Sequence, residues 1–255
     1  MAPVTQLRTQ DQLLSEEWHL RVDLAAAFRL AARMNWHEAV ANHFSAAVSA
    51  DGRQFLMNPR WKHFSRIKAS ELLLLDTDDA ETMNRPNAPD QSAWCIHGNL
   101  HAKLPQARCV LHLHPPYATA LASLADPEIK PIDQNTARFY NRVTIDKAYG
   151  GIAHVQEEGE RIAGALGNQR RMIMGNHGVL VVADSVAAAF DDMYYLERAC
   201  QTLVLAYSTG RPLNVMSPEL AEQTALDWQD YSESAVAHFD EMKKILDQTE
   251  PNYAQ

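Results

Sequence analysis

His112 and His114 stand one residue apart at the end of a short apolar run, Arg108-Cys-Val-Leu-His-Leu-His114. The run reads as a buried strand. Side chains alternate across a strand, so both imidazoles project from the same face and form half of a metal site. A second apolar run leads into Gly175-Asn-His177-Gly178, which sets His177 in a glycine-bounded turn between two apolar stretches. Three neutral imidazoles around an open position describe a catalytic metal better than a structural one. The competing reading is a pair of hydrogen-bonded core histidines. Burying two imidazoles without partners is costly, which favours the metal reading.

The chain holds 11 histidines, so some suggestive spacings arise by chance. His97 and His101 lie four apart on a predicted helix. They lack an evident third ligand, and no Glu follows His97 as it does in the helical zinc-protease motif. His43 and His154 can face a pocket, but each stands alone in the sequence. His19, His63 and His238 read as surface or edge residues.

Elements of ordinary kinds must position these groups. Ser15 is a candidate cap for a helix to about Asn35, with Leu20, Leu24, Ala27, Phe28 and Ala31 forming its buried stripe. Residues 41–48 and 54–57 read as a hairpin around Asp51-Gly52. Residues 72–75 read as a short buried strand or helix end, followed by an acidic loop. Ser92 is a candidate cap for a helix to Lys103. Pro115-Pro116 ends the His112 strand and opens the next helix. Residues 126–151 form a long mixed segment of the kind often functional in compact domains. Glu157 to Leu166 reads as a helix, residues 172–174 and 179–182 as strands. Ser185 begins a long helix to about Tyr207, and residues 217–246 are mostly helical. This interleaving predicts one α/β unit with helices covering a sheet. The expected division is a mobile arm over residues 1–15, one domain over 16–246 and a frayed tail over 247–255.

Composition narrows the partners. The 255 residues are 46% hydrophobic, enough for one large core, and carry 32 acids against 23 bases for a net charge of −9. No Lys/Arg-dense block appears, so nucleic acid is not an expected partner. No apolar run approaches the ~18 residues that span a bilayer, so no membrane association is expected. The start of the chain lacks the charge and apolar pattern of a secretory signal. Three cysteines without metal-type spacing (Cys95, Cys109, Cys200) read as buried reduced thiols and suit the cytoplasm.

The chain resembles the class II aldolase/adducin family from about Trp18 to Leu213. His112-Leu-His114-Pro-Pro-Tyr-Ala-Thr-Ala-Leu is similar to the family's HxH strand and following helix. Gly175-Asn-His177-Gly-Val-Leu is similar to its distal histidine turn, and Tyr194-Tyr-Leu-Glu197-Arg-Ala-Cys to its closing helix. Ala41-Asn-His-Phe-Ser45 and Gln54-Phe-Leu-Met-Asn-Pro59 resemble its N-terminal loop and hairpin. The resemblance implies a three-layer α/β/α sandwich with a central, mostly antiparallel mixed sheet. It implies one divalent metal per subunit on His112, His114 and His177, zinc first and manganese or another divalent ion as alternatives. It further implies a homotetramer with active sites between subunits and a small-molecule substrate.

One departure bears on the chemistry. Sugar-phosphate aldolases of the family carry Ser-Ser-Glu where this chain has Gln91-Ser92-Ala93, with Ala93 in the place of the acid/base Glu. The usual Thr/Ser-Gly near the hairpin is replaced by Pro59-Arg60-Trp61-Lys62. Decarboxylation needs an electron sink and one proton donor, whereas aldol cleavage also needs the missing base. The sequence therefore favours a metal-dependent carbon–carbon lyase, decarboxylase ahead of aldolase, acting on a small carboxylated, unphosphorylated hydroxy or oxo compound. A sugar-phosphate aldolase or epimerase and a non-catalytic adducin-like scaffold are the alternatives. Tyr140 and Gln134 are the expected proton carriers, with Tyr140 offered across a subunit interface. Asn42, Asn135 and Arg138 are the expected substrate contacts, Arg138 through a bidentate carboxylate grip. Glu197 reads as part of a salt bridge. Arg60 and Lys62 read as a solvated face, and Tyr117 as packing.

Overall fold

The alternation of side chains along the strands sorts this chain into layers. A computed structural model describes residues 10–151 and 155–255. In β1 (His43–Ala47), β4 (Cys109–Leu113), β6 (Arg171–Met174) and β7 (Gly178–Ala183), one set of side chains shares a buried cluster: Phe44, Ala46, Cys109, Leu111, Leu113, Ile173, Val179 and Val181. Phe28, Leu121, Leu196 and Phe239 close it from α1 (Gln10–Arg33), α3 (Pro116–Ala122), α6 (Val186–Ser208) and α8 (Glu233–Thr249). The alternate set, Val110, Met172, Met174, Leu180 and Val182, meets Ile96 and Leu100 of α2 (Gln91–Lys103) and Ile162 and Leu166 of α5 (Gln156–Leu166). Helices therefore cover both faces, which is the three-layer sandwich expected from the sequence.

The sheet also contains β2 (Gln54–Met57), β3 (Leu73–Asp76) and β5 (Thr144–Asp146), in the order β3-β2-β1-β4-β7-β6-β5 among the described residues. Its pairings are antiparallel except β5 with β6. Gly52 sits in the predicted hairpin turn at φ +78, and a Cβ there would meet the His101 carbonyl oxygen at 2.4 Å. Ser185 caps α6, and Ser217 caps α7 (Pro218–Asp230). The cap of α2 is Asp90 rather than Ser92: its carboxylate accepts from the N–H groups of Ser92 and Ala93 at 2.9 and 3.4 Å. The long segment 126–151 holds a short helix, α4 (Gln134–Ala137), besides β5. No helix among the described residues is long and apolar enough to cross a membrane.

Both ends of the expected division need correcting. α1 begins at Gln10, so residues 10–15 are helical rather than part of an arm, and residues 1–9 lie outside the described residues. Residues 247–255 are ordered, not frayed. α8 runs to Thr249, and a 3₁₀ turn spans Pro251–Ala254. Tyr253 is 2% exposed, its hydroxyl donates to Asp247 at 2.8 Å, and the Ser70 N–H donates to the Gln255 carbonyl at 2.9 Å. Glu250 takes Arg33 at 2.8 Å and Arg29 at 3.3 Å. One buried aromatic ring outweighs the polar composition around it. Ending the chain at Thr249 is expected to cost about 3 kcal/mol or more, the range for losing a buried aromatic side chain. Urea unfolding measures this, and an unchanged midpoint would contradict the anchoring role.

Candidate metal centre

β-Pairing brings the histidines together. β4 pairs with β7 so that His112 lies opposite Leu180 and Leu113 opposite Val179. β7 in turn pairs with β6 from Gly178 opposite Met174, which places the 175–177 turn beside the end of β4. The ring centroids of His112, His114 and His177 lie 4.7–5.1 Å apart. One nitrogen from each ring falls within 4.8 Å of the other two. His114 follows the last strand residue yet keeps the facing of His112.

The residues suit a cation. His112 Nδ1 donates to the Val179 carbonyl at 3.1 Å, which fixes that proton and leaves Nε2 as the free lone pair. His114 Nε2 is buried without a hydrogen-bond partner among the described residues. Burial, then the neighbouring histidines, holds His112 well below the usual imidazole value. Burial likewise brings His177 to about 4, with His114 adding to the shift. His114 is lowered by burial against an opposing pull from Glu38. All three rings are thus neutral at pH 7, as metal ligands must be.

Local sequence shapes the turn. Asn176 adopts φ +55, a left-handed conformation that Asn tolerates better than most residues. Gly178 is required by contact: a Cβ there would lie 2.5 Å from His114 Cδ2 and 2.5 Å from the Leu113 carbonyl oxygen.

Several neighbours were not legible in the sequence. Glu38 Oε2 lies 3.7 Å from His114 Nδ1. The Tyr149 ring lies 5.9 Å from His177. His43 does not stand alone: its ring is 4.9 Å from that of His112, its cross-strand partner. His154 falls outside the described residues. Contrary to expectation, Glu197 forms no salt bridge among the described residues. It accepts from the N–H groups of Tyr117 and Ala118 at 2.9 and 2.8 Å, tying the start of α3 just after His114.

Burial raises the Glu197 carboxyl to about 7, against the two N–H bonds that lower it. The folded state therefore holds this proton more tightly than the unfolded chain. The associated stability is present below about pH 4.5 and is lost as pH rises through about 7. Glu197→Gln removes this loss. The variant should gain on the parent by on the order of 3 kcal/mol between pH 5 and 8 in urea unfolding. Parallel pH profiles would refute that assignment.

The expected substrate and proton groups fare unevenly. Asn42 is buried, and its Oδ1 accepts from the Glu38 N–H at 2.6 Å, so it closes the loop that carries Glu38. Arg138 does not reach the histidines of its own chain. Its Nη2 is held by Asp191 and Asp192, each at 2.8 Å, and its guanidinium stacks on Tyr195 and Trp228. The carboxylate grip expected of Arg138 is thus taken by two aspartates of α6. Tyr140 lines a separate cavity of about 290 Å³ with Ile129, Phe139 and Val143. Gln134 is exposed and offers its carbonyl to Trp228; Asn135 is half-buried on the same short helix. Lys62 pairs with Glu71, and Arg60 lies over the exposed Trp61. Ala93 is buried against Phe55 and Met57.

Comparison with known proteins agrees with this fold. The profile of the Class II Aldolase and Adducin N-terminal domain matches residues 22–204. The chain is 34% identical over 206 residues to a Caulobacter vibrioides protein whose name places it in aldolase class 2, covering 81% of this chain and 79% of that one. It is 26% identical over 221 residues to the decarboxylase NovR of Streptomyces niveus, covering 84% and 81%. Among solved structures, an aldolase II superfamily protein from Pseudomonas syringae superimposes with a TM-score of 0.83 at 30% identity, covering 98% of both chains. L-fuculose 1-phosphate aldolase from Glaciozyma antarctica superimposes at 0.80, also over 98% of both chains; at 22% identity this likeness concerns the fold.

Proposed function

Because the chain belongs to the class II aldolase and adducin family, we propose that it is a metal-dependent carbon–carbon lyase. Its substrate is a small carboxylated, unphosphorylated hydroxy or oxo compound, and its preferred reaction is decarboxylation. The observation that carries this reading is the convergence of three neutral imidazoles, one of them with a buried nitrogen lacking a partner among the described residues. The three ring nitrogens of His112, His114 and His177 hold the ion, zinc before manganese. When bound, it supplies a Lewis acid for a carbonyl or phenolic oxygen.

The chain's own residues do the rest. The Val179 carbonyl and Glu38 orient two of the rings. Loss of carbon dioxide breaks one carbon–carbon bond and leaves an electron pair that takes up a single proton. Tyr140 of a neighbouring copy in a homotetramer is the proposed donor of that proton. Ala93, apolar and buried, supports decarboxylation over aldol cleavage, which would need a base there. The NovR likeness supports the same choice. Three free buried thiols suit a cytoplasmic setting.

The test is a release assay with metal-loaded protein on hydroxyaromatic acids, oxo acids and sugar phosphates, monitoring carbon dioxide and aldehyde separately. Carbon dioxide from an unphosphorylated acid is expected. Activity confined to phosphorylated sugars would overturn the substrate class.

A further inference from the structure

Behind the histidine triad, four buried side chains form one continuous hydrogen-bonded chain. His43 Nδ1 lies 2.7 Å from His97 Nε2, and His97 Nδ1 lies 2.5 Å from Ser45 Oγ. Ser45 Oγ lies 2.6 Å from His101 Nε2, and His101 Nδ1 lies 2.6 Å from the Ala107 carbonyl oxygen. His43 and Ser45 share the face of β1 opposite to Phe44 and Ala46, so they meet α2, which carries His97 and His101 one turn apart. None of the four is more than 3% exposed.

The end of this chain fixes its direction. A carbonyl oxygen can only accept, so His101 carries its proton on Nδ1. A neutral His101 then has a bare Nε2 and accepts from the Ser45 hydroxyl. Ser45 has spent its one hydrogen and must accept from His97 Nδ1–H. His97 Nε2 is therefore bare and accepts from His43 Nδ1–H. The remaining nitrogen of His43, Nε2, is left as a lone pair. Neutrality of the three rings agrees with burial, which lowers His101 to about 4 and His43 to about 3 and takes His97 well below its usual value. The Asp90 carboxylate acts on His43 in the opposite sense, but its Oδ1 is already engaged by the Ser92 hydroxyl and the N–H groups of Ser92 and Ala93.

We propose that the chain from the Ala107 carbonyl through His101, Ser45 and His97 locks His43 in its Nδ1–H tautomer, so that His43 presents Nε2 beside the triad as a hydrogen-bond acceptor for a substrate hydroxyl. His43 is then a substrate-binding residue, and His97, Ser45 and His101 are positioning residues that act through it. The ring lies close enough for this role, 4.9 Å from His112. An acceptor in that place selects hydroxylated acids over the same acids without the hydroxyl. Such a site penalises the analogue because its buried acceptor goes unpaired. The tautomer rests on the hydrogen bonds between neutral buried rings; the role toward a hydroxyl rests on the lyase reading.

Two measurements test the two halves. Long-range ¹H–¹⁵N correlation spectra of the histidine-labelled, metal-free protein should show His43, His97 and His101 as Nδ1–H tautomers. In Ser45→Ala the His43 pattern should become a mixture. An Nε2–H pattern for His43 in the parent overturns the proposal outright. The second measurement is calorimetric binding of glycolate and acetate to metal-loaded protein. The preference for glycolate should fall about tenfold in Ser45→Ala, roughly one hydrogen bond, with acetate affinity and metal stoichiometry unchanged. Ser45→Thr, which keeps the hydroxyl, should restore the preference. An unchanged preference in Ser45→Ala, or loss of metal in that variant, refutes the positioning role. If the parent binds neither acid, the role of His43 toward a hydroxyl is overturned, the release assay alone decides the lyase reading, and the tautomer spectra still decide the first half.

Discussion

Replacing His112 with alanine is expected to strip the metal from the protein while leaving its fold standing. His112 is the only one of the three putting a nitrogen into the site from within a strand, and its Nδ1 is already committed to the Val179 carbonyl. Its ring neighbour on β1, His43, is anchored by its Nδ1 on His97 with its centroid 4.9 Å from that of His112, so it does not move into the vacated position. Loss of groups that merely orient metal ligands costs about ten- to a hundredfold in affinity, so loss of a ligand should exceed a hundredfold. Metal content should fall from about one ion per chain to a trace, and any lyase turnover with it. Far-ultraviolet circular dichroism should stay like the parent's, because the sheet is held by the apolar residues on both faces of β4 and β7. Full metal occupancy in His112→Ala would contradict the assignment of the site.

A second large effect is expected from one methyl group. Gly178→Ala places a Cβ 2.5 Å from both the His114 ring and the Leu113 carbonyl. One of these is backbone at the end of β4 and the other a ring of the proposed metal site, so the strain falls on that site whichever gives way. Overpacking of this kind costs about 1–3 kcal/mol. Because it displaces a ligand, it should also weaken metal binding by about ten- to a hundredfold. Gly98→Ala is the control: it lies in α2 with open space around its Cβ position. There the exchange should be neutral or stabilising by up to about 1 kcal/mol, with metal affinity unchanged. Metal titration of both variants reads the contrast. Equal affinities would remove the role given to the tight β4–β7 approach.

What could be read from the sequence was local. Period-two spacing placed His112 and His114 on one face. Glycine and asparagine marked the turn that presents His177, and Ser185, Ser217 and Pro116 marked helix starts. Interleaved periodicities implied one α/β unit with helices covering a sheet, and the family resemblance implied its three layers. What escaped depends on contacts between distant segments. His43 gains its partners only when β1 pairs with β4 and α2 packs over them, more than fifty residues away in the chain. The same α2 residues, His97 and His101, have the four-residue spacing of helical metal ligands but no evident third one; Ser45 and the Ala107 carbonyl give them another use. Arg138 had the right chemistry for a carboxylate, but the sequence could not show that Asp191 and Asp192 of α6 supply two of them. Tyr253 was hidden by its polar surroundings, although a lone aromatic near a chain end is a fair signal of docking.

X-ray absorption spectroscopy of the zinc-loaded protein decides whether three imidazole nitrogens share one divalent cation. The expected result is a first coordination shell of nitrogen and oxygen near 2.0–2.1 Å with outer-shell scattering from three imidazole rings, falling to two in His177→Ala. A sulfur shell near 2.3 Å, or the same ring scattering with and without His177, would contradict it.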